Sequence, residues 1–259
     1  MAVLLALVAI AFFVLPLIAL LRRAPWSSLW DTLNEPVARD AIRLSVECSL
    51  WATFFSLVFG VPLAYVLARA RFPGRSLVRA LVVLPMVFPP VVGGVALLYA
   101  FQRNNGLLGG LIYDLFGFQF TFSKWGAVLA ETFVAMPFLV ITVEAGLRSM
   151  DRRYEDAAAS LGATRWTVFR RITMPLIAPA LFAGAALAWA RALGEFGATI
   201  TFAGNIQGRT QTTPLAVYIF LESNPDVAVV LSLALFAISI IVLVSLRDHW
   251  FGGIRDAGR

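Results

Sequence analysis

Long apolar stretches of similar length recur along this chain, separated by shorter polar segments. A helix needs about 20 residues to cross the hydrocarbon core of a bilayer, and each stretch has roughly that length with few or no charged residues. The stretches are residues 1–21, 46–68, 79–101, 125–147, 175–193 and 227–246. They are too long for the strands of a membrane β-barrel and do not alternate in polarity. The pattern predicts an all-α, multi-pass membrane protein with about six transmembrane helices in a single domain, residues 1–259.

The composition supports this fold class and excludes others. The 259 residues are 60% hydrophobic and 14% charged, whereas typical soluble domains are about 45–50% apolar and about 25% charged. The only lysine, Lys124, has no phosphate-binding loop around it, and the chain has no H-E-x-x-H or G-x-S-x-G motif. We therefore expect no enzyme activity, no metal site and no cofactor bound by this chain. The single cysteine, Cys48, has no partner for an internal disulfide.

The arginines indicate an orientation in the membrane. With six spans, one set of loops together with the tail after residue 246 holds thirteen Arg or Lys residues, and the other set holds seven. Cytoplasmic loops are enriched in Arg and Lys, so both termini are predicted to be cytoplasmic, although Arg22 and Arg23 alone favour the opposite. Residues 1–21 lack the basic start of a signal peptide, so we expect a retained helix or a misplaced start site. No basic patch lies beside stacking aromatic residues, so no nucleic acid partner is expected.

One segment between the apolar stretches, residues 148–174, has the pattern of two short helices. Asp151 is suited to cap a helix whose first turn contains Glu155 and Asp156, because acidic residues stabilise the positive end of a helix. Gly162 is a typical helix stop, and apolar side chains then recur at helical spacing. The pattern predicts a helix, a turn and an amphipathic helix on the cytoplasmic face.

This cytoplasmic segment could rest on lipid headgroups, which attract its arginines, or it could dock onto a protein. Ala157, Ala158 and Ala159 give the first helix a small, smooth surface suited to close packing. Acidic residues also stand where a lipid-binding helix would carry only bases. Both details favour a protein partner.

The same residues resemble the cytoplasmic signature of the membrane subunit of bacterial ABC importers. That signature has the form E-A-A-x-x-x-G and is followed, about a dozen residues later, by an apolar residue, any residue, Leu and Pro. The matching residues are 156–162, D-A-A-A-S-L-G, and 172–175, I-T-M-P, with Asp156 and Met174 as departures. The resemblance covers roughly residues 40–246 and implies a permease fold of the type I importers. It also implies which residues couple to a separate ATPase: Glu155, Asp156, Ala157, Ala158, Gly162 and Pro175.

A second stretch narrows the resemblance. Residues 190–202, A-R-A-L-G-E-F-G-A-T-I-T-F, are similar to a run found in molybdate permeases, which are close to sulfate and thiosulfate permeases. Leu84-Pro85 and residues 88–92, F-P-P-V-V, fit the same branch. The resemblance implies an oxyanion substrate, first of all molybdate, with sulfate, thiosulfate or tungstate as the alternatives.

The residue types of this second stretch also suit an anion path. A dianion that crosses a membrane needs hydrogen-bond donors and diffuse positive charge in place of its hydration shell. Arg191 lies inside a predicted span, where an ionisable group is costly enough to indicate function, and Thr199, Thr201 and Asn205 follow it. An ion pair between Arg191 and Glu195, one turn apart, would instead simply fix the helix end. The sequence leaves both interpretations open.

The third apolar stretch contains three prolines, Pro85, Pro89 and Pro90. They remove backbone donors within one helix and predict a kink. With Gly93 and Gly94 they form a candidate gate or hinge. Kinks without a gating role are also common in membrane helices, so this interpretation is open as well.

Two acidic residues lie within the fourth apolar stretch. Glu131 is seven residues past Lys124 and is expected to reach toward the outer interface. Glu144 is four residues before Arg148 and can pair with it at the inner interface. A structural role is the simpler interpretation for both.

The resemblance also implies an assembly. Two copies of this chain would form one pathway, since six spans are half of the usual twelve. Two ATPase subunits, which bind ATP and Mg²⁺, would drive alternating access, and an extracytoplasmic oxyanion-binding protein would deliver the anion. The expected location is the inner membrane of a bacterial cell, in contact with lipid.

Two other classes of function make different demands on the sequence. A stand-alone channel or secondary carrier would show internal symmetry or acids near the midplane, and no clear repeat relates residues 1–130 to residues 131–259. An integral membrane enzyme would need a nucleophile and a base that converge, and the spans offer neither. Both classes are less favoured than an importer subunit.

Overall fold

The structure is a computed structural model that describes the backbone of residues 1–255 and the side chains of residues 1–242 and Val244. Within this part the chain forms thirteen α-helices, one π-helix and no strand. The α-helices are α1 (Ala2–Arg23), α2 (Leu29–Asn34), α3 (Pro36–Arg69), α4 (Arg75–Val87), α5 (Pro90–Phe101), α6 (Gly109–Phe116), α7 (Lys124–Ser149), α8 (Arg153–Ser160), α9 (Arg165–Val168), α10 (Met174–Leu193), α11 (Gly197–Phe202), α12 (Thr213–Ser223) and α13 (Pro225–Arg255). The π-helix, Phe169–Thr173, joins α9 to α10.

Five helical segments within the described residues are long and apolar enough to cross a membrane. They are Ala2–Arg23, Pro36–Arg69, Lys124–Ser149, Arg165–Leu193 and Pro225–Val242. Some of these helices begin before the apolar stretch that the sequence predicts, because the residues at their start favour a helix. Pro36 begins α3 and needs no partner for an N–H group. The Ser123 hydroxyl caps α7 by accepting a hydrogen bond from Gly126 N at 3.1 Å. The predicted all-α, multi-pass fold is confirmed. The tail arginines that entered the predicted orientation, Arg247, Arg255 and Arg259, lie outside the described side chains.

The third apolar stretch is not one kinked helix but two helices, α4 and α5, bent by 119° relative to each other. Helix α4 continues through Pro85, and its last hydrogen bond runs from Phe88 N to Leu84 O. Pro89 and Pro90 have no N–H to continue the ladder, and the backbone at Phe88 and Pro89 is extended. The two prolines therefore end one helix and begin the next.

Helices α3, α7 and α10 form the centre of the bundle. Their buried side chains include Ala52, Leu139, Val143 and Ala188. Small residues allow the helices to approach closely, since a Cβ atom added to Gly60 of α3 would lie 2.9 Å from Leu139 Cδ2. Membrane helices associate through close packing of this kind, because moving apolar side chains out of lipid gains little free energy and van der Waals contacts have to drive association.

Helix α1 contrasts with this centre, because it buries none of its residues against the rest of the described chain. Its side chains are apolar from Ala2 to Leu21. The bundle therefore does not use α1 to complete its own core, and the surface of α1 is left for lipid or another protein.

The close packing at Gly60 gives a test of the bundle. Gly60→Leu should lower stability by about 1–3 kcal/mol, because overpacking forces neighbouring side chains and backbone apart. Thermal unfolding of the purified chain in detergent measures the change. Val58→Leu, which adds bulk on the exposed face of the same helix, is the control, and equal behaviour of the two variants would contradict the packing described for α3 and α7.

Candidate functional site

The segment 148–174 folds into helix α8, a turn, helix α9 and the π-helix. Asp151 Oδ1 accepts a hydrogen bond from Arg153 N at 2.9 Å, at the start of α8. The segment turns at Gly162, whose φ of +83° is a left-handed conformation that glycine adopts without strain. Thr164 then begins α9 by accepting a hydrogen bond from Thr167 N at 3.2 Å. Local capping chemistry thus produces the helix–turn–helix shape.

One face of α8 has no contacts that cover it. Asp156 and Ala157 are exposed and Ala158 is half-buried, and Leu161 just beyond the helix is 89% exposed. This face of α8 is therefore an open surface of small and charged side chains, with one exposed apolar side chain at its end.

The opposite face of α8 is anchored through Glu155. Its Oε2 lies 3.2 Å from Nη2 of Arg69, the last residue of α3, and its Oε1 accepts a hydrogen bond from Thr173 Oγ1 at 2.7 Å. The side chains of Arg69 and Glu155 are 11% and 15% exposed, and Thr173 is fully buried. The hydrogen bond from Thr173 has a charged acceptor, and such hydrogen bonds are stronger than neutral ones. Glu155 therefore ties α8 to both α3 and the π-helix, while Asp156 does not.

Sequence reasoning placed Glu155 and Asp156 together and missed Arg69 and Thr173. One signal was present for Arg69, which closes the apolar stretch 46–68 on the same predicted side of the membrane as the segment 148–174. Nothing local distinguished the two acids, because the partner that separates their roles lies on another helix.

Pro175 lies at the junction between this segment and the membrane. It is exposed in the first turn of α10, directly after the π-helix. Because proline has no N–H to donate to the preceding turn, the wider π-turn accommodates it, and Met174 N bonds to Phe169 O. Helix α9, the π-helix and α10 consequently run as one helical segment, Arg165–Leu193.

The far end of that segment carries the predicted ion pair. Arg191 Nη2 lies 2.6 Å from Glu195 Oε2, and Glu195 is 1% exposed whereas the Arg191 side chain is 27% exposed. Glu195 Oε1 also accepts a hydrogen bond from Ala198 N at 2.8 Å. The pair thus joins the end of α10 to the start of α11, and Arg191 keeps part of its surface open.

The polar residues after this pair differ in what they leave unpaired. The Thr199 hydroxyl and Asn205 Oδ1 are buried and have no hydrogen-bond partner among the described residues, and Thr199 is fully buried. The Thr201 hydroxyl, in contrast, donates to Gly197 O at 2.8 Å within α11. Thr199 and Asn205 are therefore the members of the predicted set with unused hydrogen-bonding capacity.

The predicted hinge and the predicted path lie against each other. A Cβ atom on Gly197 would lie 2.8 Å from Pro90 Cβ, and one on Gly94 would lie 2.7 Å from Thr201 Cβ. Helices α5 and α11 thus pack with almost no side-chain spacing at these two glycines. Pro85 does not share this contact region in α5, because it lies inside α4.

The acids of α7 differ from each other. Glu144 pairs with Arg148 at 2.8 Å, as predicted, and also with Arg79 of α4. The expectation that Glu131 reaches toward the interface is wrong: it is 1% exposed, its Oε2 has no partner among the described residues, and Lys124 pairs with Glu47 instead. The reason is that the position of Glu131 on α7 faces the bundle rather than lipid. Among the described residues no group of three or more His, Cys, Asp or Glu side chains could hold a metal ion.

The importance of Glu155 for this geometry can be tested by proteolysis. Glu155→Ala should loosen α8, since a lost hydrogen bond to a charged group costs about 1.5–3 kcal/mol. Trypsin should then cleave within residues 148–174 roughly tenfold faster or more. Asp156→Ala, which removes the neighbouring exposed acid, should cleave at the wild-type rate, and similar rates for the two variants would contradict the anchoring role of Glu155.

The sequence has extensive similarity to known proteins. Residues 60–252 match the family model described as the binding-protein-dependent transport system inner membrane component. The chain is 44% identical over 241 residues to the molybdenum transport system permease protein ModB of Mycobacterium tuberculosis, covering 93% of this chain and 90% of that protein. It is 42% identical over 222 residues to ModB of Escherichia coli, covering 85% and 96%. The sulfate transport system permease protein CysT of Salmonella typhimurium is 38% identical over 237 residues, covering 90% and 85%.

Solved structures share the fold at low sequence identity. A bacterial ABC transporter involved in the import of the acidic polysaccharide alginate aligns with a TM-score of 0.75 at 19% identity, covering 98% of this chain and 94% of that chain. The methionine ABC transporter MetNI, in an inward-facing conformation, aligns with a TM-score of 0.61 at 17% identity, covering 85% and 95%. These likenesses concern the arrangement of helices alone.

Proposed function

The chain belongs to the family of inner membrane components of binding-protein-dependent transport systems, and from this membership we propose that it is the membrane-spanning permease subunit of an ATP-driven importer of molybdate. The observation that carries the substrate is the 42–44% identity to ModB permeases over 85–93% of the chain. Sulfate is the second candidate, because the CysT permeases are 37–38% identical over 90% of the chain. Thiosulfate and tungstate remain within the same chemical class.

The coupling part of the mechanism uses helix α8. Its exposed face, around Asp156 and Ala157, docks onto a separate ATPase subunit that binds ATP and Mg²⁺. Movement of α8 then reaches α3 through the Glu155–Arg69 ion pair and reaches the π-helix through Thr173. Both contacts are largely shielded from water. Because salt screens a shielded ion pair much less than an exposed one, this arrangement supports coupling.

The transport part of the mechanism lies at the other end of α10. That helix has 20 residues and carries motion over about 30 Å, from the cytoplasmic segment to Arg191. Arg191 is partly neutralised by Glu195, and Thr199 and Asn205 offer neutral polar groups. An oxyanion meets weak contacts along such a path, and weak contacts let it leave again.

The break between α4 and α5 supplies a place where the pathway can open. Pro90 lies against Gly197 of α11, so a change in the bend at Phe88 and Pro89 moves the same segment that carries the polar residues. Pro85 belongs to the moving helix α4 rather than to the break itself. We assign the gate to Pro89 and Pro90.

The proposed assembly contains two copies of this chain, two ATPase subunits and an extracytoplasmic oxyanion-binding protein in a bacterial inner membrane. Two copies are proposed because the described residues of one chain supply at most six spans, half of the usual twelve. The excess of Arg in one set of loops supports an orientation with both termini in the cytoplasm. On this orientation α8 faces the ATPase.

Uptake into vesicles tests the proposed function. With the ATPase subunit and the binding protein present, we expect molybdate to accumulate only when ATP is supplied. An excess of tungstate should compete, because it is a dianion of nearly the same size, whereas sulfate should compete weakly. Accumulation without ATP would support a carrier or channel, and uptake of sulfate but not molybdate would support the second candidate.

The docking surface gives a separate prediction. Ala157→Trp should reduce ATP-dependent uptake to background and prevent co-purification of the ATPase, because a large ring on an exposed alanine separates the two proteins. Ala157 contributes little to the fold of the chain itself, so the variant should insert and unfold like the wild type. Ala157→Ser keeps the surface small and is the control, and normal uptake by the tryptophan variant would rule out this face as the coupling surface.

A further inference from the structure

A groove lined by apolar and aromatic side chains runs along one face of helix α7, opposite α3, and we call it the aromatic groove. Its volume is about 520 Å³. The Thr132 hydroxyl, in the middle of the groove, already donates to Val128 O at 2.6 Å within the helix, so this part of the groove suits an apolar occupant. The α7 residues that line the groove recur at helical spacing and are Trp125, Val128, Leu129, Thr132 and Met136.

Ring contacts hold the other walls of the aromatic groove in place. Phe55 of α3 stacks on Phe59 with ring centres 6.3 Å apart, and it meets Trp125 of α7 at 6.4 Å. The loop before α7 contributes Phe118 and Phe120, whose rings meet edge to face at 5.1 Å. Aromatic rings in such contacts have defined orientations. The walls are therefore a preformed feature of the fold.

The aromatic groove is closed at its inner end and open along its side. At the inner end, a Cβ atom on Gly60 of α3 would lie 3.3 Å from Met136 Cγ, so the two helices are in contact there. Along the side, Phe59 is 60% exposed and Trp125 is 37% exposed. Both helices are long and apolar enough to cross the membrane. The groove thus opens sideways at membrane depth, toward lipid or toward another membrane helix.

The length of the groove matches one leaflet of a bilayer. Helix α7 rises about 16 Å from Trp125 to Met136, and half of the hydrocarbon core of a bilayer is about 15 Å thick. Met136 also lies midway between Lys124 and Arg148, the basic residues near the two ends of α7. The groove therefore runs from one interface to the middle of the membrane, which is the depth that a single acyl chain covers.

The outer end of the groove has the residue types of a membrane interface. Trp51 and Trp125 contact each other with ring centres 5.4 Å apart, and tryptophan is enriched where hydrocarbon meets the headgroups. The neighbouring Lys124 pairs with Glu47 at 3.2 Å, and its side chain is 37% exposed. An ammonium group has three donors, so Lys124 can also bind a phosphate oxygen. A lipid whose chain lies in the groove would place its phosphate beside Lys124.

A helix of another subunit fits this space less well than an acyl chain does. A helix with its side chains is about 10–12 Å across, so it could cover the groove or insert single side chains. An acyl chain is narrow and flexible enough to follow the groove between the rings. It would give the lining atoms van der Waals contacts along the whole length of the groove.

We propose that the aromatic groove binds one acyl chain of a phospholipid whose phosphate lies at Lys124. On the orientation proposed above, this lipid belongs to the outer leaflet. The inference goes beyond the proposed function, because it depends on the fold in a membrane and holds whichever substrate is carried. The acyl chain fills the space between α3 and α7 in one half of the membrane, whereas direct contact at Gly60 joins the two helices nearer its middle.

Native mass spectrometry of the full chain, purified from membranes in a mild detergent, tests this site. The wild-type chain should retain a phospholipid. Leu129→Trp should lose it, because the indole ring takes the space of the acyl chain. Leu50→Trp is the matched control, because Leu50 is 55% exposed on α3 and does not line the groove. This control should retain the phospholipid like the wild type.

Three results of this experiment would overturn the inference. They are a wild-type chain without phospholipid, retention of the phospholipid by Leu129→Trp, and equal loss from Leu129→Trp and Leu50→Trp. If Leu129→Trp keeps the phospholipid but forms less dimer, the groove is covered by a second copy of the chain instead.

The length of the acyl chain gives a second test that uses the wild-type chain alone and so does not depend on how a variant folds. Phosphatidylglycerol with palmitoyl and oleoyl chains should raise the melting temperature of the delipidated chain in detergent, because a ligand of the folded state stabilises it. Phosphatidylglycerol with hexanoyl chains has the same headgroup, but its chains are too short to reach Met136, so it should raise the melting temperature less. Equal shifts would assign the binding to the headgroup alone and contradict a site in the aromatic groove.

Discussion

A helix that breaks inside a bilayer leaves backbone donors and acceptors unpaired, and the arrangement of the bundle depends on how this chain satisfies that constraint. Irregular backbone at membrane depth is tolerated only where protein or a watery cavity covers it. The two breaks within apolar sequence, at Phe88–Pro89 and after Leu193, lie together, with Pro90 against Gly197. Two prolines remove donors at the first break, and the Glu195 carboxylate accepts one donor at the second. Each break thus helps to cover the other, and the irregular backbone of both breaks is concentrated in one region of the bundle.

Charged residues in this chain are few, and those that are buried mostly connect helices. Glu155 joins α8 to α3, Glu144 joins α7 to α4, and Glu195 joins α10 to α11. Separating the two partners of a buried ion pair costs free energy because a charge is left unpaired in the interior. These contacts therefore resist independent movement of the helices they join. Glu131 is different, because its carboxylate lies in the same interior without a cation among the described residues. Ion pairs between side chains therefore connect the helices at the ends of the bundle and around its broken helices. In the centre of the bundle, the helices are held by close packing of residues such as alanine and glycine.

The features predicted from the sequence are those with local causes. Stretches of about 20 apolar residues predicted the spans, and Asp151 and Gly162 predicted the helix and turn of the cytoplasmic segment, because hydropathy, capping and glycine conformation act over a few residues. The separate roles of Glu155 and Asp156 could not be predicted, since Arg69 lies on another helix. The reversal at Pro89 exceeded the predicted kink because α5 packs onto α11, and the burial of Glu131 followed from which side of α7 faces the bundle.

The π-helix at Phe169–Thr173 has a consequence for the rotational register of α10. A π-turn contains one residue more than an α-turn, and each residue of an α-helix turns the chain by about 100°. The direction in which Arg191 faces is therefore set some twenty residues earlier, where Pro175 leaves no N–H for the regular ladder. Deleting one residue from the π-turn would keep the hydropathy of the span intact and yet turn Arg191 and Trp189 onto a different side. The span would still insert, but Arg191 would no longer face the same neighbours. The π-turn thus determines which side of α10 carries Arg191 without changing the apolar length of the helix.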